Sequence, residues 1–595
     1  MVDELIKAEV LKGGEFVVKD ATPDTTFIPE EFNEEQKMVR QMVRDFAANV
    51  GDRGGKLDKQ VELLDEAAEL GLLSTHIPEE YGGMPMDTNT NSIISEELGY
   101  IGGGFTTSYA AHIGIGTLPI LYFGTEAQKQ KYLPGLASGE LKASYCLTEP
   151  SSGSDALAAK TTAKLSEDGQ SWVLNGQKMW ISNAGFADVF IVFAKIDGQH
   201  FTGFIVEKGA EGLSLGAEEH KLGIKGSSTR QVFLENVKIP VDNLLGEKGK
   251  GHLIAFNILN VGRYKLGIMS VGGCKQAINI GTKYANNRVQ FKTPISSFGA
   301  IQYKLAEMAI RTFSTESACY RTSDLMQTKK NALLAEGASY KDSLLISAEE
   351  YAIECAMIKV IGSEATAYCV DELVQIHGGY GFSEEYAAAG MFRDARINRI
   401  YEGTNEINRL LSVTQLLKKA MKGELDLTGP AWAVQKELTS APTNKVPEGK
   451  YGLEKKTVKD FKKIVLMVAG TAAKMQMEGK LNLKTEQQIV MNIADMMIDV
   501  YTAESTLVRV EKLADNYGKS QPQELYEAIL KTHLADAQFR MTKNATDALA
   551  SFVEGDVLHA MLSGVRRFTK YPPVNVKNNR QAIARALIDA NKYCF

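Results

Sequence analysis

The stretch Arg396 to Leu411 reads RINRIYEGTNEINRLL and places one carboxylate, Glu402, between the apolar pair Ile400–Tyr401 and the pair Gly403–Thr404. A helix must begin directly after it. Ile407, Leu410, Leu411 and Leu417 recur at helical spacing, and Thr404 suits the N-cap. Glu406 suits the positive first turn, Lys418, Lys419 and Lys422 the negative last turn, and Gly423 the stop. None of this requires Glu402. Two roles stay open from this stretch alone. One is a loop glutamate paired with Arg396 or Arg399. The other is a general base in a partly dry place, where desolvation raises the carboxylate pKa toward the working range.

Three further stretches could meet a flat polar ligand. YCLTEPSSGSDALAAKTTA, from Tyr145, joins a strand-like start to small hydroxyl residues and a glycine, which let a backbone come close and offer N–H and O–H donors. A plain proline-containing turn would look the same. KMWISNAGFADVF sets Trp180 in an alternating strand near Ser182, which suits packing on a ring cofactor or, more ordinarily, a core tryptophan. QIHGGYGF, from Gln375, puts two glycines at a helix end, where a backbone passes close to another helix or to a cofactor. His377 fits a packed or surface histidine as well as a catalytic one. GEKGKG (246–251) has the wrong spacing for a phosphate-binding loop, and neither H-E-x-x-H nor G-x-S-x-G occurs. No metal site is expected.

These residues need elements to hold them. The chain has 595 residues, 44% hydrophobic and 24% charged, with net charge −6, so nothing in the bulk points to nucleic acid. Six scattered cysteines without C-x-x-C fit a reducing compartment. The start, MVDELIKAEVLKGGEF, lacks a signal-peptide core, and no apolar run approaches a membrane span. A cytoplasmic location is the expectation. The texture predicts a mainly α protein with a central β domain. An N-terminal helical domain is expected over 1–155, a β domain over 156–250, a helical bundle over 251–422, a proline- and glycine-rich linker including Pro442 over 423–455, and an additional helical domain over 456–595. Thr485-Glu486-Gln487-Gln488 has a capping-box pattern. ESACYRTSDL (from Glu316) and ESTLVRVEKL (from Glu504) share E-S-x-x-x-R-x-x-x-L, a sign of a duplicated bundle element or a coincidence of amphipathic helices. EKKTVKDFKKIVLMVAG, from Glu454, sets lysines against an apolar stripe. It suits either an anionic membrane surface, at the inner face of the membrane, or a solvated face on a packed helix.

In this order YCLTEPSSGSD, KMWISN, NNRVQF, QIHGGYGF and RDARINRIYEGTNEI, with the α–β–α layout, resemble the acyl-CoA dehydrogenase family over about residues 35 to 420. The helical tail is similar to the very-long-chain branch. The resemblance implies FAD as cofactor, an acyl-CoA substrate and electron-transfer flavoprotein as electron acceptor. It also implies a homodimer and peripheral membrane contact through the C-terminal region. By similarity Tyr145, Leu147, Thr148, Gly153 and Ser154 line the flavin and its phosphates, with Trp180 and Ser182 against the ring system. Arg288 and Gln290 would reach the FAD of a neighbouring subunit, with Gln375 and Gly379 on the same cofactor and Thr404 and Glu406 at a helix start facing it. Ser154, Asn260, Arg263, Tyr401 and Gly403 would meet the substrate. Glu402 matches the family's α-proton base. The alternative base position of some relatives falls on Gly262, which has no side chain. Gly114 and Gly116 stand where side chains could otherwise floor an acyl tunnel; helix packing explains them equally well. An acyl-CoA oxidase or a non-catalytic scaffold relative would share the same fold.

Overall fold

The computed structural model describes residues 10–441, 445–515 and 518–595. Pro442 and the first nine residues of the N-terminal stretch lie outside them. The N-terminal helices include Glu34–Val50, Thr88–Leu98, Gly103–Ala110 and Glu126–Ser138. Between Gly103–Ala110 and Leu118–Phe123 the chain makes a π-helical turn over Ala111–Gly116.

An eight-stranded sheet follows, and its strands run in the order Leu213–Leu215, Thr229–Pro240, Ser171–Ser182, Thr162–Leu165, Val189–Ile196, His200–Glu207 and Leu244–Leu245. Ala143–Cys146 pairs parallel with Val189–Ile196 off this path. The sheet therefore begins before residue 156, the expected start of the β domain. Its apolar strands close over a core that includes Val192, Phe204 and Val232.

Four helices of the second bundle carry the site: Gly251–Asn287, Gly299–Ala335, Ala352–His377 and Asn405–Met421. The first and third cross closely because both lack side chains at the crossing. A Cβ on Gly362 would lie 2.7 Å from the Gly267 carbonyl oxygen. The expected linker contains a helix, Thr428–Leu438, which buries Val434. The additional domain contributes Gly452–Met477, Gln487–Ala514, Gln523–Phe552, Gly555–Phe568 and Val576–Ala590. It shares one continuous hydrophobic core with the second bundle, so it is not a loosely tethered appendage.

One local expectation fails, and one choice between alternatives is narrowed. The Gln487 helix has Glu486 as N-cap with no side-chain cap bond, and the Thr485 hydroxyl instead donates 3.0 Å to the Asn482 carbonyl; no capping box forms. The lysine stripe on Gly452–Met477 follows the packed-helix alternative. Lys455 pairs with Glu511, Lys456 with Asp460, Lys459 with Asp20, Lys462 with Glu504 and Lys463 with Glu437. Its apolar stripe lies in the core. Among the described residues no helix is long and apolar enough to cross a membrane.

The internal echo has a structural meaning. Glu316 pairs with Arg509 at 2.8 Å, and Arg321 with Glu504 at 2.9 Å. Arg321 donates to Ser505 (3.2 Å) and Arg509 to Ser317 (3.3 Å). Arg321 lies over the Tyr501 ring and Arg509 over the Phe313 ring. The Arg of each motif meets the Glu and Ser of the other, as two copies of one helix would across a two-fold axis. Residues 13–31, not recognised as structural in the sequence, thread along this seam. Gly14 N–H donates to Glu354, Ala21 N–H to Glu504, and Arg509 to Glu30.

Candidate functional site

Glu402 occupies a left-handed backbone conformation (φ 57°), followed by Gly403 at φ 80°. A glutamate there is uncommon and has to be held. Side chains from three helices do so. Arg263 Nε donates to the Glu402 carbonyl at 3.2 Å. Lys359 Nζ donates to the Gly403 carbonyl at 2.7 Å and to Asn405 Oδ1 at 2.8 Å. Asn408 Nδ2 lies within 3.3 Å of the Glu402, Gly403 and Thr404 carbonyls. Thr404 caps the following helix through the Ile407 N–H, as its position predicts. The buried face of that helix is rotated from the expected stripe: Asn405, Asn408, Ser412, Val413 and Leu416 face inward and Ile407 is exposed.

Neither Arg396 nor Arg399 pairs with Glu402. Its Oε2 is buried without any hydrogen-bond partner. Burial pushes the carboxyl up to about 7, against the opposing pull of Arg263 and Lys359. The same burial brings Lys359 down to about 7. A Cβ on Gly262 would sit 2.5 Å from Glu402 Oε2, so the second base position is empty because the carboxylate fills it. Gly262→Ala should therefore push the carboxylate aside and reduce turnover about tenfold with cofactor content unchanged, read as kcat beside the flavin absorbance.

Glu402 and Tyr401 line a cavity of about 450 Å3, with Ser182 on its opposite side. The Tyr145 hydroxyl is a second buried group without a partner. Trp180 is not a core residue. It sits at a register shift in its strand, with φ 57° and its side chain 61% exposed. Thr148 accepts the Met179 N–H, and Ser182 accepts from the Ser144 hydroxyl, so the Tyr145 and Trp180 segments are tied side by side. A buried pair, Lys178 and Glu149 at 2.7 Å, fixes the turn, and Glu149 also accepts the Lys160 and Thr161 N–H groups. Gly153 and Ser154 lie exposed on that turn, with open space around Gly153.

The whole chain compares with known proteins in the same terms. Residues 33–140, 144–237 and 249–417 match the acyl-CoA dehydrogenase N-terminal, middle and C-terminal domains, and 460–567 match a further acyl-CoA dehydrogenase C-terminal domain. The chain is 47% identical, over 98% of its length and 99% of the relative's, to a Bacillus subtilis (strain 168) protein described as a probable acyl-CoA dehydrogenase. It is 40% identical to the human mitochondrial very long-chain specific acyl-CoA dehydrogenase over 66% of this chain and 60% of that one. The crystal structure of an acyl-CoA dehydrogenase complexed with FAD from Bacillus anthracis superposes with a TM-score of 0.94 at 47% identity, covering 98% of this chain and 100% of that one. The chain belongs to the acyl-CoA dehydrogenase family. It is an oxidoreductase acting on CH–CH bonds, with FAD as cofactor.

The acyl-CoA dehydrogenase site fits that cofactor. The exposed Trp180 indole, the unpartnered Tyr145 hydroxyl and the open turn at Gly153 are unsatisfied features that a flat polar group would cover. Arg288, Gln290 and Gly379 meet in a separate hollow that shares no lining residue with the Glu402 cavity. Gln375 is exposed on the adjoining helix end, Arg288 lies over the Tyr380 ring, and Leu147 is half-buried beside the sheet core. His377 is a packed residue, stacked on Tyr284 with Nδ1 bonded to the Leu373 carbonyl. Asn260 and Arg263 have a role in the Glu402 turn that the sequence did not suggest. Both are buried; Arg263 donates to Asn260 Oδ1 at 2.9 Å and to the Glu402 carbonyl at 3.2 Å, so Asn260 steadies the arginine that holds the base. Glu406 is exposed in its first turn and held below the usual carboxylate range by local backbone hydrogen bonding. Sequence reasoning missed Lys359 and Asn408, whose partners lie in a turn of no recognisable pattern.

The cavity extends from Glu402 between Gly103–Leu118 and the Gly251–Asn287 helix. Gly103, Thr107, Ala110, Ala111 and Gly114 keep that wall shallow. A Cβ on Gly114 would meet nothing within 4 Å, whereas one on Gly116 would strike Ala143 at 2.6 Å. Gly114 leaves the cavity wall open; Gly116 is a packing glycine.

Proposed function

We propose that this acyl-CoA dehydrogenase oxidises long-chain fatty acyl-CoA to trans-2-enoyl-CoA in β-oxidation, with Glu402 removing the α-proton and electron-transfer flavoprotein receiving the electrons. The observation that carries this is one carboxylate of raised pKa, with an orphaned oxygen, at the head of a cavity walled by small side chains. A thioester α-proton is less acidic than a carboxylic acid by ~10 pK units, about 14 kcal/mol if nothing else changes. Raising Glu402 to about 7 narrows that gap. Donors must stabilise the enolate oxygen as it forms, and the Glu402 N–H would act as one. The left-handed turn, held by Arg263, Lys359 and Asn408, aims the carboxylate, and Tyr401 excludes water. FAD bound on the Tyr145, Thr148, Trp180 and Ser182 side supplies the hydride acceptor for the β-carbon.

The second hollow, with Arg288, Gln290 and Gly379, supports a dimer in which one subunit's residues complete the other's cofactor site. Phe291 and Phe382, 91% and 89% exposed, are the apolar groups such an interface would cover.

Anaerobic titration with acyl-CoAs of graded length tests the function. Flavin bleaching should strengthen from C8 to C16, and Gly114→Phe should lower the C16-to-C8 ratio of kcat/KM about tenfold, the equivalent of a few methylenes left unburied. A maximum at C4, or peroxide formation without need of electron-transfer flavoprotein, contradicts this assignment.

A further inference from the structure

The acyl cavity does not end in solid protein. Its far end is walled by Ala47, Ala48, Tyr100 and Gln276, and the same four residues wall a second hollow on the other side. Gln276 stands 14 residues along the helix from Gly262, about 21 Å at 1.5 Å per residue. That exceeds the ~15 Å depth of one leaflet of a bilayer's hydrocarbon core, the space an ordinary membrane acyl chain occupies. A chain anchored at Glu402 and longer than that has to pass this partition, which consists of two alanines and two side chains free to turn.

The additional domain walls the second hollow beyond the partition. Its far wall is Ser520, Gln521, Tyr593, Cys594 and Phe595. This end of the chain is pinned. Tyr593 N–H donates to Asn279 Oδ1 at 2.7 Å, the Ser520 hydroxyl donates to the Cys594 carbonyl at 2.8 Å, and Phe595 meets Tyr526 edge-on. Four of the charged groups around the hollow, Arg40, Arg44, Glu97 and Lys275, already have partners, and Lys592 lines it as well. Arg40 and Arg44 share Glu97, and Lys275 bonds Glu96 and Glu316 while lying over the Tyr593 ring. Among these polar groups Ala47, Ala48 and Ala590 and the rings of Tyr100, Tyr593 and Phe595 give a hydrocarbon end an apolar surface to lie against.

We propose that the C-terminal residues of the additional domain are the end-stop of the acyl channel and set the upper limit of chain length. The proposal rests on the acyl-CoA reading above and deepens it: the domain contributes a substrate wall from the side remote from the chemistry.

Two full-length holoenzyme variants and a short truncation test it. Gln521 lines only the second hollow, and Gln521→Trp fills it. The kcat/KM for C20 and C22 acyl-CoA should fall about tenfold, the equivalent of two methylenes left in water, while C12 changes less than twofold. Cys594→Trp should do the same. Ending the chain after Lys592 should raise the C22-to-C16 ratio. Equal effects on C12 and C22, or no effect of either tryptophan at any length, overturns the end-stop. If the parent chain bleaches with no acyl-CoA, the underlying function fails and the end-stop with it. A parent that oxidises C12 to C16 beside indifferent tryptophan variants removes the end-stop alone.

Discussion

Glu402→Gln is expected to fold, remain yellow and lose acyl-CoA dehydrogenation by about a hundred- to ten-thousand-fold, the range a positioned general base supplies. The amide keeps the shape of the side chain and removes its basicity. Stopped-flow bleaching of the flavin by a saturating acyl-CoA measures the step directly, and retained bleaching removes Glu402 from the mechanism. The pH dependence has a definite sign. The reaction needs the carboxylate, so the parent's rate should rise through about pH 7, where burial has moved this group. Stability should move the other way. The folded-state pKa is raised, so between the ordinary carboxylate value and about 7 the folded chain binds a proton that the unfolded chain does not. The stability this contributes is complete below the unfolded value and is lost as pH rises through about 7. Glu402→Gln should therefore be more stable than the parent at pH 8, by up to about 2–3 kcal/mol, and nearly equal to it at pH 4. A slower and more stable variant is the signature of a charge held where catalysis, not folding, wants it.

The parts of this site that could be read from the sequence are those whose meaning is local. Thr404 as N-cap, Gly423 as stop and the α–β–α order all follow from neighbours within a few residues, and the structure keeps them. Glu402 stood out because nothing local required it. Of the groups that hold it, Lys359 and Asn408 did not stand out, and Arg263 did so only for another role. Lys359 and Arg263 sit in long buried helices where a charged residue has no visible motive until its carbonyl partner arrives from a distant turn. Trp180 reads as a core residue because alternation assumes a regular strand. The register shift beside it turns the indole outward, and no periodicity can announce a bulge. The Gly452–Met477 lysines show the same limit from the other side. A basic amphipathic stripe looks identical facing lipid or facing five carboxylates, and only the fold says which.

The echo between the Glu316 and Glu504 motifs predicts the largest stability effect. Arg509 bonds Glu30 at 2.7 Å and Glu316 at 2.8 Å, all within the seam between the second bundle and the additional domain. Removing one member of such a buried set leaves charges that water no longer solvates, which costs about 3–5 kcal/mol. Arg509→Met should lose that much in denaturant unfolding. Because the Glu402 loop lies in other contacts, the surviving folded fraction should keep its kcat. The acid limb provides an independent check. Lys275 and Arg509 hold Glu316 down at about 2 against the raising effect of burial. A depressed carboxyl contributes stability above its unfolded value, and that contribution disappears as pH falls through about 2. Without Arg509 the Glu316 carboxyl rises, so the variant should begin to unfold at a higher pH than the parent. Combining Arg509→Met with Glu316→Gln should recover part of the loss, since the second change removes a charge the first left under-paired. Strict additivity of the two would mean that the matched motifs lie side by side without sharing their charges, and the seam would then owe its strength to the continuous apolar core alone.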